Sequence, residues 1–276
     1  MQLHLENKVV IVSGGARGIG EAIARTFAAE GAVVCVLGRR VNDNNALVRD
    51  LVARGLRATS TVCEMTDEAQ VRTAVAGVLE QFGRIDVVVN NAGVNDGAGL
   101  RMPVAAFRAS LEKNVVHCFV LVQACLDALV TSQGNIVNIG TKCATTGQGG
   151  TSGYVAAKGA IHALTREWAL DLAEHGVRVN CVVPAEVMTP LYKRWIATQP
   201  DPPAALAKIT RSIPLEHRFT TAQEIADTVV FTASSQASHT TGQILYVDGG
   251  YTHLDRAYTA PERLDDAMGE TRPPDP

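Results

Sequence analysis

The chain has 276 residues, of which 46% are hydrophobic and 19% charged, with a formal net charge of −3. That length buries one large core, and the near-neutral balance excludes the basic footprint needed for nucleic acid or an anionic membrane surface. No apolar run reads as long enough to cross a bilayer, and the opening Met1-Gln2-Leu3-His4-Leu5-Glu6-Asn7 lacks a signal-peptide pattern, so a cytoplasmic protein without a membrane partner is expected.

Six cysteines (Cys35, Cys63, Cys118, Cys125, Cys143 and Cys181) contain no CxxC pair. They read as small buried hydrophobes in a reducing compartment, with no metal site.

The first apolar run, 9–13, reads as a strand. It is followed at once by Ser13-Gly14-Gly15-Ala16-Arg17-Gly18-Ile19-Gly20 and a helix with Ile19, Ile23, Thr26 and Phe27 on one face. Glycines at this place let the backbone approach a pyrophosphate at the positive helix end. Gly14, Arg17, Gly18, Ile19 and Gly20 are therefore candidate cofactor contacts.

The second strand, 33–37, ends Leu37-Gly38-Arg39-Arg40. A carboxylate there would favour NAD by accepting the ribose 2′-hydroxyl; Arg39 and Arg40, with Arg17 as a third cation, suit the 2′-phosphate of NADP. NADP is expected as the preferred cofactor, with NAD as the alternative.

Further strands are expected at 58–63, 85–90, 135–139, 178–183 and 244–247, with apolar residues on consecutive positions as in strands covered on both faces. Helical patterns alternate with them, among them Val71, Val75, Val78, Leu79 and Phe82. This order predicts an α/β fold: a doubly wound, Rossmann-type parallel sheet of about seven strands with helices on both faces. A single domain is expected over 1–258, with a proline-rich lid insertion at about 188–219 and a mobile tail over 259–276.

The strand ends carry the chemistry. They read Asn90-Asn91-Ala92-Gly93, with Asn114 in the following helix; Asn138-Ile139-Gly140-Thr141; Pro184-Ala185-Glu186-Val187-Met188-Thr189-Pro190; and Val247-Asp248-Gly249-Gly250. A helix then opens at Gly153-Tyr154-Val155-Ala156-Ala157-Lys158, placing a phenol and an ammonium one turn apart on one face. A phenol with a pKa near 10 is a poor base at neutral pH, and a fixed ammonium with an oxidised nicotinamide nearby would bring it down. Tyr-x-x-x-Lys is common by chance; the surrounding strand-end motifs make it specific.

Together these motifs resemble the short-chain dehydrogenase/reductase family over roughly residues 5 to 252. The resemblance implies an NAD(P)-dependent oxidoreductase in which Tyr154 is the acid–base. Lys158 lowers its pKa and bonds the nicotinamide ribose, and Asn114 holds a relay water. Asn91, Ala92 and Gly93 support the adenine side, and Pro184, Val187 and Thr189 lie at the carboxamide. The family's catalytic serine falls on Thr141, and the acid that caps the adenine falls in Cys63-Glu64-Met65, so Glu64 and Met65 are expected there. Family members are usually homotetramers or homodimers, and apolar positions on two helices (Val115, Val116, Phe119 and Val120; Ile161, Leu164 and Trp168) fit an assembly.

The loops ringing the nicotinamide are polar: Asn95, Asp96, Lys142, Gln148 and Glu186, with Tyr192 and Trp195 from the lid. Hydroxyl acceptors beside an indole suit a sugar or polyol as the small-molecule substrate. The segments Asn91 to Gly97, Thr146 to Tyr154, Pro184 to Tyr192 and Gly249 to Arg256 further resemble the L-fucose dehydrogenase branch, which oxidises C1 of L-fucose-like aldoses to a lactone. Two alternatives remain: a ketone or 3-oxoacyl reductase, disfavoured by Glu186 and Asp96, and a catalytically silent dinucleotide-binding sensor or scaffold.

Overall fold

The computed structural model describes residues 2–254; the expected tail, 259–276, lies outside the described residues. In chain order the elements are β1 (Val9–Ser13), α1 (Gly18–Ala29), β2 (Val33–Gly38), α2 (Val41–Ala53), β3 (Arg57–Val62), α3 (Glu68–Phe82), β4 (Val87–Asn90) and α4 (Val104–Leu111). A π-helical turn (Glu112–Val116) leads into α5 (His117–Ser132), followed by β5 (Asn135–Ile139), α6 (Cys143–Thr146), α7 (Ser152–Asp171) and β6 (Arg178–Pro184). The chain ends with α8 (Pro190–Ile196), α9 (Pro202–Arg211), α10 (Ala222–Ala233) and β7 (Ile244–Val247). All seven strands run parallel in the order β3-β2-β1-β4-β5-β6-β7.

The order reverses beside β1, so the crossover helices fall on both faces. β1 shows why its five residues are all apolar or small. Val10 and Val12 pack under Ile23 and Phe27 of α1 and Val229 of α10, whereas Val9 and Ile11 meet Val75 of α3 and Leu121 of α5. Alternate side chains thus enter two separate core layers.

Two strands depart from the expectation of cover on both faces. β3, Arg-Ala-Thr-Ser-Thr-Val, and β7 are only partly buried, because they are the sheet's two edges. The expectation about apolar length is also corrected. The continuous helix Val104–Ser132 spans 29 residues with a mean hydropathy of 1.8 in its most apolar window, long and apolar enough to cross a membrane by those criteria alone. In the fold its apolarity has a packing role, since Leu121, Val122, Cys125 and Leu129 are buried against the sheet. Of the positions assigned to assembly, Ile161 and Trp168 are consumed by the chain's own core, while Val116 and Phe119 remain exposed.

The segment 188–219, expected as a lid, holds α8 and α9, each started by a side-chain cap: Thr189 accepts from the Tyr192 amide, and Asp201 from the Ala204 amide. Its ends meet in a single parallel bridge between Val187 and Thr220.

At the opposite, amino-terminal edge of the sheet Asp86 is 3% exposed and accepts from the Val9 amide (2.9 Å), Lys8 (3.1 Å) and Arg84 (2.5 and 2.8 Å). Burial works against the carboxylate, but Arg84, the Val9 amide and Lys8 outweigh it and hold the pKa below the usual range. A depressed folded-state pKa contributes stability above the unfolded value, and that contribution is lost as pH falls through the folded value. Asp86→Asn is expected to cost about 2 kcal/mol at pH 7, with the difference from wild type shrinking below about pH 4, as read from urea midpoints at the two pH values. An undiminished difference at pH 3 would show that shape, not charge, accounts for the loss.

Candidate active site

A cleft of about 660 Å³ opens over the carboxyl ends of the strands, at the switch point between β1 and β4. Its floor is the glycine loop. Gly14 and Gly18 have φ of +63° and +57°, a region that penalises any side chain. A Cβ on Gly14 would lie 3.1 Å from Ala92 Cα, and one on Gly18 would lie 3.3 Å from the Thr189 methyl group. Ser13, fully buried, accepts from the Asn91 and Ala92 amides (both 3.0 Å), while the Asn91 side chain donates to the Ser13 and Gly14 carbonyls. The loop is thereby pinned to the end of β4, with backbone clear above the α1 N-terminus. This is a cradle that fits a pyrophosphate. Gly20, expected at the cofactor, instead packs behind the loop against Gly14 and Asn91.

At the far end of the cleft stand Arg17, Arg39 and Arg40. Two carboxylates stand among them, although the end of β2 itself supplies none. Asp43, in the first turn of α2, meets Arg17 twice (2.8 Å from Nη2 to Oδ1 and 2.6 Å from Nε to Oδ2) and lies 3.9 Å from Arg40. Glu64 pairs with Arg39 at 3.3 Å and accepts from Thr66. Partial burial tends to raise its pKa, but Thr66 and Arg39 prevail and lower it. Glu64 lines the cleft beside Met65, as expected, with its carboxylate committed to these neighbours.

At the reacting end Thr141, Tyr154 and Lys158 line the same wall. α7 carries the last two, and the hydroxyl of Thr141 follows β5. Lys158 is 3% exposed and donates to the Ile139 carbonyl at 2.8 Å. Burial lowers its pKa, opposed by Cys118 and Cys181. The protein's own groups do not bring the Tyr154 phenol down. Burial, followed by the Cys143 thiol, pushes it up to about 12, with the Thr141 hydroxyl pulling the other way.

Asn114 lies not in a regular helix but in the π-helical turn, a distortion that frequently marks functional positions. It is fully buried; its side chain accepts from the Val94 amide (2.7 Å) and donates to the carbonyls of Val94 and Ser110 (both 2.9 Å). Its side-chain amide therefore fixes the loop after β4, while its backbone carbonyl accepts from the Cys118 thiol at 3.9 Å.

Pro184, Val187 and Thr189 line the cleft, with Tyr192 and Asp96. The other residues assigned to substrate do not line it. Lys142 and Glu186 form an ion pair with each other, with the Lys142 ammonium 3.4 Å over the Tyr251 ring. Burial, followed by the negative charge of Glu186, raises the pKa of Tyr192. Gln148 accepts from the Cys143 thiol at 2.7 Å, and Asn95 accepts from the Gly97 amide within its own turn. Trp195 packs edge-on to Tyr192 at 5.2 Å, outside the cleft. In their place Lys113 enters the lining, and Arg194, which the sequence places in the lid with Tyr192 and Trp195, lines it too. Lys113 is paired with Asp96 at 3.4 Å, and its place one residue before Asn114 was the available signal.

The family model described as enoyl-(acyl carrier protein) reductase matches residues 14–252. L-fucose dehydrogenase of Bos taurus is 39% identical over 252 residues, covering 91% of each chain. A 3-oxoacyl-[acyl-carrier-protein] reductase of Thermotoga maritima is 33% identical over 250 residues, covering 90% of this chain and 99% of its own. The solved aldohexose dehydrogenase of Thermoplasma acidophilum is 30% identical and superposes with a TM-score of 0.81 over 92% of this chain and 98% of that one. The chain belongs to the short-chain dehydrogenase/reductase family: it is an oxidoreductase acting on CH–OH groups with a nicotinamide cofactor.

Proposed function

We propose that this enzyme oxidises the anomeric hydroxyl of a small aldose of the L-fucose type to a lactone, with NADP preferred over NAD. The observation that carries the reading is the polar reacting end of the cleft, where Asp96, Lys113, Tyr192 and Arg194 surround the Thr141–Tyr154 wall. Such a lining offers acceptors and donors to several hydroxyls beside the apolar walls formed by Val94, Ile139 and Leu191. The likeness to the bovine L-fucose dehydrogenase over nearly the whole chain supports it.

The glycine loop and α1 N-terminus would hold the pyrophosphate of the dinucleotide, Arg17, Arg39 and Arg40 its adenosine end, and Lys158, Val187 and Thr189 its nicotinamide half. When bound, the oxidised cofactor supplies the hydride acceptor and a positive ring. Tyr154 takes the proton from the C1 hydroxyl while the C1 hydrogen leaves as hydride, and the C1–O bond becomes a carbonyl. The Thr141 hydroxyl orients the reacting oxygen; its methyl group narrows the rotamers available. Lys158 holds its ammonium toward this wall by its bond to the Ile139 carbonyl. Asn114 keeps the loop after β4 closed beside it.

A second reading, reduction of a 3-oxoacyl thioester, is favoured by the Thermotoga maritima relative and the family description. Purified enzyme with NADP and with NAD, assayed against aldoses and 3-oxoacyl thioesters by reduced-nicotinamide absorbance, separates the two. Turnover of L-fucose or a stereochemically related aldose is expected; turnover of a thioester with none of any aldose would overturn the sugar reading.

A further inference from the structure

The adenosine end of the cleft carries an anion that conflicts with a simple 2′-phosphate site. Three guanidiniums, Arg17, Arg39 and Arg40, are gathered there, but Asp43 and Glu64 are set among them. The two acids thus offset two of the three guanidinium charges, which weakens the attraction of the set for a phosphate of nearly two negative charges. Asp43 is also the more firmly placed of the two acids. Its side chain is 19% exposed against 40% for Glu64, and it takes Arg17 with both oxygens.

The next residue explains the rigidity. Asn44 is 1% exposed and donates to the Gly38 carbonyl at 2.7 Å, while its amide donates to the Arg40 carbonyl. The start of α2 is thus bolted to the end of β2, and Asp43 cannot drift from the cleft. A carboxylate so held can accept the ribose 2′-hydroxyl of NAD, the task expected of an acid at the end of β2 and missing from Leu37-Gly38-Arg39-Arg40. The same carboxylate repels a 2′-phosphate and occupies the guanidinium that would bind it.

We infer that Asp43 sets the choice between NAD and NADP, holding Arg17 in check and keeping NAD usable despite the arginines. The inference rests on the dinucleotide occupying this cleft and does not depend on the substrate. A bland role is also available: an acid in the first turn of a helix stabilises it through the helix dipole. That role changes stability and leaves the ratio of the two affinities alone.

The test is binding, measured by calorimetry on the full chain without turnover. Asp43→Asn is expected to tighten NADP by about tenfold, leave NAD unchanged or weaken it, and do the same for the fragments 2′,5′-ADP and 5′-ADP. The gain for 2′,5′-ADP should shrink as salt is raised. Adding Asp43→Asn to an Arg17→Gln chain should give a clearly smaller gain, since the guanidinium it frees is then absent. Asp43→Ser provides the same comparison in a smaller side chain should the amide disturb α2. Equal changes for both dinucleotides, or weaker NADP binding, would overturn the inference. Preference of the wild-type chain for NAD would overturn the proposed NADP preference alone; the shift in ratio on removing Asp43 would still stand or fall by itself.

Discussion

Tyr154→Phe is expected to lower kcat by about 10²–10⁴-fold, the range for loss of a positioned acid–base, while dinucleotide affinity changes by less than about twofold. The phenyl ring keeps the shape of the wall between Thr141 and Lys158, so the loss isolates the hydroxyl. The pH profile carries the sharper information. Burial and Cys143 push the phenol up to about 12, against the pull of Thr141, so positive charge beyond that of the polypeptide has to stabilise the phenolate. In the oxidation direction the active form is the deprotonated one, so the wild-type rate rises with pH until Tyr154 is ionised in the ternary complex. The variant should lose that rising limb along with its rate. Retention of both by Tyr154→Phe would remove Tyr154 from the chemistry.

Gly20→Ala should be the most damaging single methyl group in the cofactor region. A Cβ at this position falls on the Gly14 carbonyl oxygen and on the Asn91 side-chain nitrogen, inside any permitted contact. Neither can yield independently. Gly14 belongs to the loop, and Asn91 donates to the Ser13 and Gly14 carbonyls and so ties that loop to β4. Relief requires moving the loop itself. The expected result is a stability loss of about 3 kcal/mol, at the upper end for an inserted methyl group, together with at least about tenfold weaker dinucleotide binding, since the displaced amides no longer converge. Gly77→Ala is the matched control. Its Cβ meets nothing within 4 Å in the middle of α3, and about 0.5 kcal/mol of stabilisation is expected there from the unfolded chain and helix propensity. Similar behaviour of the two variants in urea unfolding and calorimetry would show that the loop tolerates the displacement.

The central fold was readable because a doubly covered parallel strand has a simple signature. β1, β2, β4, β5 and β6 are short runs of apolar residues, and buried burial patterns match them. β3 was expected as one of the apolar runs covered on both faces and so misjudged in its surroundings, because strand position in the sheet is a property of topology. The glycine loop and Thr141 follow strand ends directly, and Tyr154 and Lys158 stand out by their one-turn spacing at the start of α7. Asp43 was not: it reaches Arg17 across 26 residues by the first turn of α2, and no spacing rule announces that contact. Lys142 and Glu186 were both noticed, but as separate substrate groups. β5 and β6 are neighbours in register, with Ile139 beside Val182, and the Lys142 amide donates to the Pro184 carbonyl. Adjacent strand ends thus deliver opposite charges to one place, where they neutralise each other.

The bridge between Val187 and Thr220 closes the lid at its base, and the Thr220 amide donating to the Glu186 carbonyl reinforces it. Entry and exit coincide, so the intervening segment behaves as a cassette. Lengthening such a loop costs little, about 0.6 kcal/mol for each doubling, and the segment's further tie to the sheet is the Leu215 amide donating to the Gly249 carbonyl just after β7. Substrate range can therefore diverge within a lineage by exchange of this segment while the dinucleotide cradle is inherited intact. For engineering, the junctions of choice are those two bridge residues, whose pairing fixes both ends of the segment.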